Sequence, residues 1–257
     1  MSSMQVLRRS DHIEFCTDGA GYLAKAEDAA LGQFVSKIMI FPEISCALCC
    51  RGPGLFLSAV HRHISGCFID FDAMLSALVD IAKTNYADLQ IFHKDEDIED
   101  FELIVGGWSE KNSRFETYGI VSHDLWVDKG YPPWTVTPLS EFYAVPWPEE
   151  EDIKSLGLRG HDGKLLVSSP SGMPLFMQAQ RMRKIPLATS CLAGGFIQKT
   201  SLWKDFALTS IVFRWADKIG EIVEPHPGEA DAIRAVFEGG NSSSVAEIDP
   251  AEGKATP

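Results

Sequence analysis

The order of its apolar segments predicts that this chain of 257 residues is an α+β protein, an αββα four-layer sandwich of two packed antiparallel sheets flanked by helices. Two short extended segments and a pair of almost wholly apolar segments open the chain. Two consecutive amphipathic helices then precede a strand hairpin, a further helix and a last hairpin. The composition, 45% hydrophobic and 23% charged, is typical of a folded globular protein.

The N-terminal region has the signals of strands. Residues 5–9 are short and extended, and residues 13–17 alternate in polarity before the turn signal Asp-Gly-Ala-Gly at residues 18–21. Residues 37–41 and 44–50, which are separated by a Pro-Glu dipeptide, are apolar at almost every position. Continuous apolar runs of this kind are typical of strands that are buried on both faces.

Two consecutive helices are predicted next. Pro53 suits the first turn of a helix, because its missing N–H has no partner to lose there. The second helix has Asp70 or Asp72 as its N-cap and shows the clearest helical period in the chain. The apolar faces contain Leu57, Val60 and Ile64 in the first helix, and Phe71, Met74, Leu75, Leu78 and Ala82 in the second.

The second half of the chain continues with alternating loops, strands and helix. The charged run at residues 93–102 predicts a solvated loop. The apolar patterns that follow predict a hairpin, a helix and a last hairpin, over residues 103–108 with 115–121, 171–184, and 194–201 with 206–215.

A Pro- and Trp-rich segment at residues 131–151 interrupts this order. Proline excludes a regular helix and a central strand, so we expect an irregular excursion within the domain, either a lid or an oligomer contact. After residue 221 the chain is polar and acidic, with no periodicity. The sequence thus predicts one domain over residues 4–220 and an acidic, largely flexible tail over residues 221–257.

Net charge and hydropathy exclude several classes of partner. A net charge of −13 and a pI of about 4.9 make nucleic acid and anionic membranes poor partners. The sequence has no apolar run of about 18 or more residues and no apolar signal core near Met1. We therefore expect no membrane span and a cytoplasmic location.

The six cysteines predict reduced thiols, since most of them lie in apolar runs. The run Cys46-x-x-Cys49-Cys50 has metal-like spacing, but no second Cys or His pair stands at ligand spacing, which favours core packing. His61 and His63 are two apart on a helix and point to different faces. No nucleotide-binding, nucleophile-elbow or zinc-protease motif occurs. We therefore expect neither a metal nor an organic cofactor.

Three segments in order resemble the proteasome β-type subunits and their bacterial peptidase relatives, which are N-terminal-nucleophile (Ntn) hydrolases. Residues 14–19, EFCTDG, resemble that family's second strand, which ends in an acidic residue at a turn. Residues 36–40 resemble the strand that begins with its buried catalytic lysine. Residues 48–52 resemble the strand end that supplies an oxyanion N–H. The helix pair and the strand at residues 104–108 fit too, so the resemblance covers about 120 residues.

The resemblance implies hydrolysis of a peptide or small amide by acyl transfer to the first residue of the mature chain. Counting back from Asp18 places this nucleophile at Ser2, a strand start that we expect to have little buried area. Removal of Met1 would expose the α-amine of Ser2 as general base. Lys37 would lower the pKa of the Ser2 hydroxyl, and Asp18 would orient and neutralise Lys37. 

The same resemblance implies where a developing oxyanion would be bound. The backbone N–H near Arg51 or Gly52 would face it. Side chains and the α-amine supply all of this chemistry, so no cofactor is implied.

A second resemblance keeps a non-catalytic function open. Residues 194–200 and 213–220 are similar to the C-terminal hairpin of proteasome-subunit-like proteins encoded in bacterial genomes and prophages. In this alternative the chain is a self-assembling structural subunit, possible in a virion as well as in the cytoplasm. Both functions imply a homo-oligomer, in which we expect Ala59, Val60 and Ile64 or their neighbours to face a partner subunit.

Overall fold

The computed structural model describes residues 2–22, 29–93, 98–183 and 191–238. The strands are β1 (Met4–Arg8), β2 (Ile13–Asp18), β3 (Ala20–Tyr22), β4 (Leu31–Phe34), β5 (Ile38–Phe41), β6 (Cys46–Arg51), β7 (Glu102–Ser109), β8 (Arg114–Val121), β9 (Thr137–Pro138), β10 (Phe142–Val145), β11 (Phe196–Leu202) and β12 (Ala207–Arg214). The helices are α1 (Phe56–Ile64), α2 (Phe71–Phe92), α3 (Glu150–Ser155), α4 (Gly172–Met182) and α5 (Glu229–Glu238).

The first sheet joins the N-terminal strands to the last hairpin. Its order is β10-β1-β2-β11-β12, and every neighbouring pair is antiparallel. Met4 of β1 lies opposite both Thr17 of β2 and Val145 of β10. Asp18, the last residue of β2, lies opposite Ile197 of β11. The N-terminal strand therefore has a neighbour on each side.

The second sheet has the order β5-β6-β7-β8-β9 and is also antiparallel throughout. A single turn of 3-10 helix, Pro42–Ile44, joins β5 to β6 at the predicted break. The predicted hairpin is confirmed as β7 and β8, which pair from Glu102 opposite Val121 to Ser109 opposite Arg114. Strands β3 and β4 form a separate two-stranded ribbon.

Apolar side chains from both sheets form the core between them, including Met4, Val6, Ile13 and Phe15 from the first sheet and Ile38, Ala47, Cys49 and Ile104 from the second. Helices α1 and α2 cover the outer face of the second sheet. Helices α3, α4 and α5 pack over the outer face of the first. The predicted mixed α/β class with antiparallel sheets is confirmed.

Helices α1 and α2 bury the faces that the sequence predicts. Asp70 caps α2, and its Oδ1 accepts a hydrogen bond from the Ala73 backbone N at 2.7 Å. Val60 and Ile64 of α1 are fully buried in the core of the chain itself. The prediction that these two side chains face a partner subunit is wrong, because they leave no surface for one; for the half-buried Ala59 and its neighbours it stays a prediction.

The Pro- and Trp-rich excursion is more regular than predicted. It contributes an edge strand to each sheet, since β9 pairs with β8 and β10 pairs with β1. An edge is the position in which a strand tolerates proline, so Pro138 in β9 and Pro146 directly after β10 are accommodated. Residues 131–151 thus connect the two sheets, and a role as lid or oligomer contact stays a prediction.

The segment after residue 220 differs from the predicted flexible tail as far as it is described. Helix α5 packs against α4 and β12. Glu229 at its start pairs with the buried Arg181 of α4 at 3.0 Å, a partner that no local pattern in the tail indicates. Residues 239–257 lie outside the described residues, as do residues 94–97 of the predicted charged loop. The boundary of the domain itself stays a prediction.

The cysteines all lie within the described residues, and no disulfide joins any of them. Strand β6 places Cys46 and Cys50 under α1 and α2, and Cys49 between the sheets, which confirms the predicted core packing. Among the described residues no group of His, Cys, Asp and Glu side chains is arranged to hold a metal ion. No helix in the described ranges is both long and apolar enough to cross a membrane.

Candidate active site

Asp18 lies at the end of β2, and its side chain is fully buried. Its Oδ1 accepts hydrogen bonds from Lys37 Nζ at 2.6 Å and from Ser3 N at 2.9 Å. Its Oδ2 accepts from Ala20 N at 3.1 Å and from Gly194 N at 3.2 Å. Four donors around one buried carboxylate fix its orientation and match its negative charge.

Lys37 immediately precedes β5 and reaches this carboxylate from the second sheet. Its side chain is buried, and within the described residues Nζ donates only to Asp18. Burial lowers the pKa of Lys37 below its usual value, the charge and hydrogen bond of Asp18 oppose this, and the charge of Arg51 lowers the pKa further. The predicted Asp18–Lys37 ion pair is confirmed, at 2.6 Å.

The two N-terminal serines lie inside the protein. Ser2 is 6% exposed and Ser3 is fully buried, in contrast to the small buried area expected for Ser2. The reason is that β1 runs between two strands instead of along an edge. Within the described residues the Oγ of Ser3 has no hydrogen-bond partner. Met1, whose removal the predicted chemistry requires, lies outside the described residues.

One carboxylate oxygen connects Lys37 to the peptide bond that follows Ser2. Lys37 Nζ and Ser3 N both donate to Oδ1 of Asp18. The Lys37 ammonium and the N–H of the Ser2–Ser3 peptide bond therefore share one acceptor atom. The structure brings Ser2, Asp18 and Lys37 into one buried region, and their chemical roles stay predictions.

The predicted oxyanion segment, Arg51 and Gly52, lies at the end of β6. Arg51 Nη1 contacts both carboxylate oxygens of Glu102, at 3.1 and 3.2 Å, and His123 Nε2 is 3.2 Å from one of them. Gly52 has a φ of +140°, and a Cβ there would lie 2.8 Å from the carbonyl oxygen of Asp100. Only glycine fits such a close approach, so the backbone here is tightly confined.

A buried arginine supports Gly194 and Gly195, the glycine loop that contacts Asp18 through Gly194 N. Gly195 N donates to Asp217 Oδ2 at 2.7 Å, and Asp217 pairs with Arg181 at 2.8 Å. Arg181 also pairs with Glu229 at 3.0 Å and stacks over the Trp215 ring at 4.7 Å from its centroid. This network holds α4, α5, the glycine loop and the end of β12 to one another.

Sequence reasoning missed both supporting clusters. The partners of Arg181 are 36 and 48 residues further along the chain, so no local spacing reveals them. An arginine within the buried face of α4 is the one signal that could have indicated a buried ion pair. The charged run at residues 93–102 predicts a solvated Glu102, which is wrong, because Glu102 is buried in β7. Its pairing with Arg51 depends on the alignment of β6 with β7.

Comparisons with known proteins show the fold alone. No family model matches the chain, and no curated protein matches it. Among solved structures of similar fold is an Anbu (Gly-1) mutant from Hyphomicrobium sp. strain MC1, with a TM-score of 0.57, 12% identity, and 94% of each chain covered. Another is Anbu (ancestral beta-subunit) from Yersinia bercovieri, with a TM-score of 0.53, 12% identity, and 93% of this chain and 94% of that one covered.

These comparisons correct the assignment of the chain to the proteasome β-type subunits and Ntn hydrolases. The sequence resemblance of three short segments is not supported by any family model or curated relative. The similar solved structures are Anbu proteins, and at 12% identity they establish a shared fold over nearly the whole chain. This chain therefore has an Anbu-like fold.

Proposed function

We propose that this chain hydrolyses an amide bond in a peptide or small amide, with Ser2 as an N-terminal nucleophile. The observation that carries this proposal is the buried Asp18–Lys37 pair, whose shared oxygen also holds the Ser2–Ser3 peptide unit. Taking an ammonium and a carboxylate out of water costs several kcal/mol per ion, and perturbed buried charges are concentrated in active sites. The αββα sandwich, which we interpret as Ntn-hydrolase-like, supports the proposal.

The reaction proceeds in two steps, acylation of Ser2 and hydrolysis of the resulting ester. After removal of Met1, the α-amine of Ser2 accepts the Oγ proton as Oγ attacks the carbonyl carbon, which forms a C–O bond and an oxyanion. The C–N bond then breaks, and the protonated amine gives its proton to the leaving nitrogen. Water then attacks the ester carbon while the same amine accepts a proton from it; the C–Oγ bond breaks, the protonated amine returns its proton to Oγ, and the acid is released.

The Lys37–Asp18 pair and a backbone N–H assist this reaction. The ammonium of Lys37 lowers the pKa of the Ser2 hydroxyl by stabilising negative charge on Oγ, and Asp18 keeps Lys37 in place. The backbone N–H at Arg51 or Gly52 stabilises the oxyanion, which requires a rigid donor. The ion pair of Arg51 with Glu102 and the confinement of Gly52 supply that rigidity.

Covalent labelling tests the nucleophile. We expect the intact mass of the purified protein to lack Met1, and a β-lactone electrophile to add one acyl group. Ser2→Ala should abolish this addition. Ser3→Ala is the matched control, because the Ser3 Oγ has no hydrogen-bond partner in the described part of the chain, so its removal should leave labelling unchanged. Retention of Met1, or equal labelling of the Ser2→Ala protein, would contradict the proposal.

Self-assembly is a second candidate function, favoured by exposed apolar side chains at one sheet edge. Within the described residues β12 pairs only with β11. Phe206, Leu208 and Ile211 are 57%, 61% and 43% exposed along this edge. Exposed apolar edge strands readily pair with another chain, so the occupant we assign to this edge is a second copy of the protein. The location of the assembled protein, in the cytoplasm or in a virion, stays a prediction.

Light scattering at micromolar concentration tests the assembly. We expect an oligomer that Leu208→Lys dissociates, because a lysine on the edge opposes pairing. Ile91→Lys on α2 is the control, since Ile91 is exposed to 63% but lies away from this edge. A monomeric wild-type protein would rule out the assembly.

A further inference from the structure

A cleft with a volume of about 410 Å³ opens beside the candidate active site. Three cationic side chains line it, those of Arg51, Lys129 and Arg183, and no Asp or Glu side chain does so within the described residues. The whole chain has a net charge of −13, so a cleft with only basic charged residues in its lining is an exception on an acidic surface. Such a cleft attracts and orients anions.

The walls of this cleft belong to the same segments that build the candidate site. Val145 in the wall lies opposite Met4, two residues after Ser2. Arg51 follows Cys50, whose backbone N donates to the carbonyl oxygen of Lys37 at 3.3 Å. A group bound in the cleft would therefore be close to the proposed nucleophile.

Two of the three cations are available for a ligand. Arg183 donates from Nη1 to the Trp147 carbonyl oxygen at 2.6 Å, which holds its guanidinium in the cleft. Neither Arg183 nor Lys129 pairs with a carboxylate within the described part of the chain. Arg51 differs, because Glu102 already neutralises it. The charge available to an incoming anion thus comes mainly from Lys129 and Arg183.

Aromatic rings form the apolar part of the cleft. The centroids of Trp126 and Tyr131 are 6.3 Å apart, and those of Tyr131 and Tyr143 are 5.8 Å apart, so three rings form a continuous surface. Lys129 Nζ lies 6.0 Å from the centroid of the Trp126 ring. Cations next to an aromatic surface match a ligand with a carboxylate on an apolar stem.

We infer that this cleft binds the carboxylate of a peptide, and that the proposed hydrolase therefore acts preferentially on acidic peptides. The statement about binding stands on the cleft alone, whereas the statement about substrate rests on the proposed function. The carboxylate has two possible sources, an acidic side chain or the free C-terminus of the peptide. Both present the same planar anion to Arg183 and Lys129.

Peptide binding to the Ser2→Ala protein tests the inference without turnover. Three fluorescent peptides of one aromatic-containing sequence are compared by anisotropy: one with glutamate and a C-terminal amide, one with glutamine and an amide, and one with glutamine and a free C-terminal carboxylate. We expect at least one carboxylate peptide to bind about tenfold more tightly than the neutral peptide, the effect of a charge-assisted hydrogen bond. Which of the two binds tightly identifies the source.

Charge variants locate the binding. We expect Lys129→Gln combined with Arg183→Gln to abolish the tighter binding of the carboxylate peptide. Arg183→Lys, which keeps the positive charge, should retain most of this preference over the neutral peptide. The control combines Arg8→Gln with Arg114→Gln in another basic cleft, at the far end of β1, which changes the net charge equally. Melting temperatures of all variants confirm folding.

The outcomes separate this inference from the proposed function. Equal binding of all three peptides, or a preference that the control variant loses as well, overturns the inference even if Ser2 is labelled. A carboxylate preference that depends on Lys129 and Arg183 supports the cleft even if Ser2 is not labelled. In that case only the substrate statement fails, together with the proposed function.

Discussion

At the scale of single residues, the carboxylate of Asp18 joins the two sheets to the N-terminus. Lys37 reaches it from the start of β5 in the second sheet, Ser3 and Gly194 donate to it from just before β1 and β11 of the first sheet, and Ala20 donates from β3. The sequence indicated the acidic residue at a turn and the lysine before an apolar strand, so this pair was predictable. The donor Gly194 was not, because a backbone N–H leaves no mark in a sequence and this one comes from 176 residues away.

Replacement of Lys37 by Met should destabilise the protein by about 3–5 kcal/mol, because it leaves the buried Asp18 carboxylate without its cation. Urea denaturation measures this change. Lys199→Met is the matched control: Lys199 also contacts a carboxylate at 2.6 Å, that of Glu14, but its side chain is 22% exposed. We expect the control to lose less than about 1 kcal/mol. Equal losses would show that the site lysine has no special electrostatic role.

The stability of the protein should fall at acid pH in part through Glu14. Burial raises the pKa of Glu14, but the hydrogen bonds and charges of Lys199 and Arg9 lower it more, so the folded value lies below the ordinary 4.5. Its contribution, less than about 1 kcal/mol, is therefore full above pH 4.5 and is lost as the pH falls through the lower, folded value. The melting temperatures of wild type and Glu14→Gln should differ at about pH 6 and converge as the pH falls through the lowered pKa of Glu14. A constant difference would contradict this.

At the scale of elements, the helices and strands with a regular sequence pattern were predictable, and the short edge strands were not. The helical period and the Asp70 cap identified α2, and the apolar runs identified β5 and β6. The two edge strands inside residues 131–151 were missed, because two to four residues between prolines carry too little pattern. Their pairing depends on the sheets that they meet, which is tertiary information.

The burial of strand β6 can be tested directly by titration of its cysteine thiols. Five of the six cysteines are buried, and only Cys67 is exposed. Burial raises the pKa of the Cys46, Cys49 and Cys50 thiols of β6, and it raises the pKa of Cys16 to about 12. We expect an aromatic disulfide reagent to titrate one thiol in the native protein and all six in denaturant. Rapid native reaction of Cys46, Cys49 or Cys50 would show that β6 is not a core strand.

At the scale of the whole molecule, the Arg181 network holds the C-terminal segment to the domain. Glu229→Ala should destabilise the protein by about 3–5 kcal/mol, because it removes one partner of a buried ion cluster. Asp231→Ala is the control in the same helix, since its side chain is 82% exposed in its pair with Arg234. We expect that control to change stability by less than about 0.5 kcal/mol in thermal or urea denaturation. Similar effects would mean that α5 is only loosely attached.

The order of the sheets also has a consequence for how the protein is made on the ribosome. Strands β5 to β8 are consecutive in the chain, so the second sheet forms most of its pairs within residues 38–121. In contrast, β1 and β2 must wait for β10 and β11, which emerge much later, and Gly194 emerges only just before β11. Pulsed hydrogen exchange during refolding should protect β6 and β7 before β1 and β2; simultaneous protection would contradict this order. A nascent chain would thus carry Ser2 beside an incomplete sheet, and the chemistry proposed for Ser2 would begin only after β10 and β11 have been synthesised.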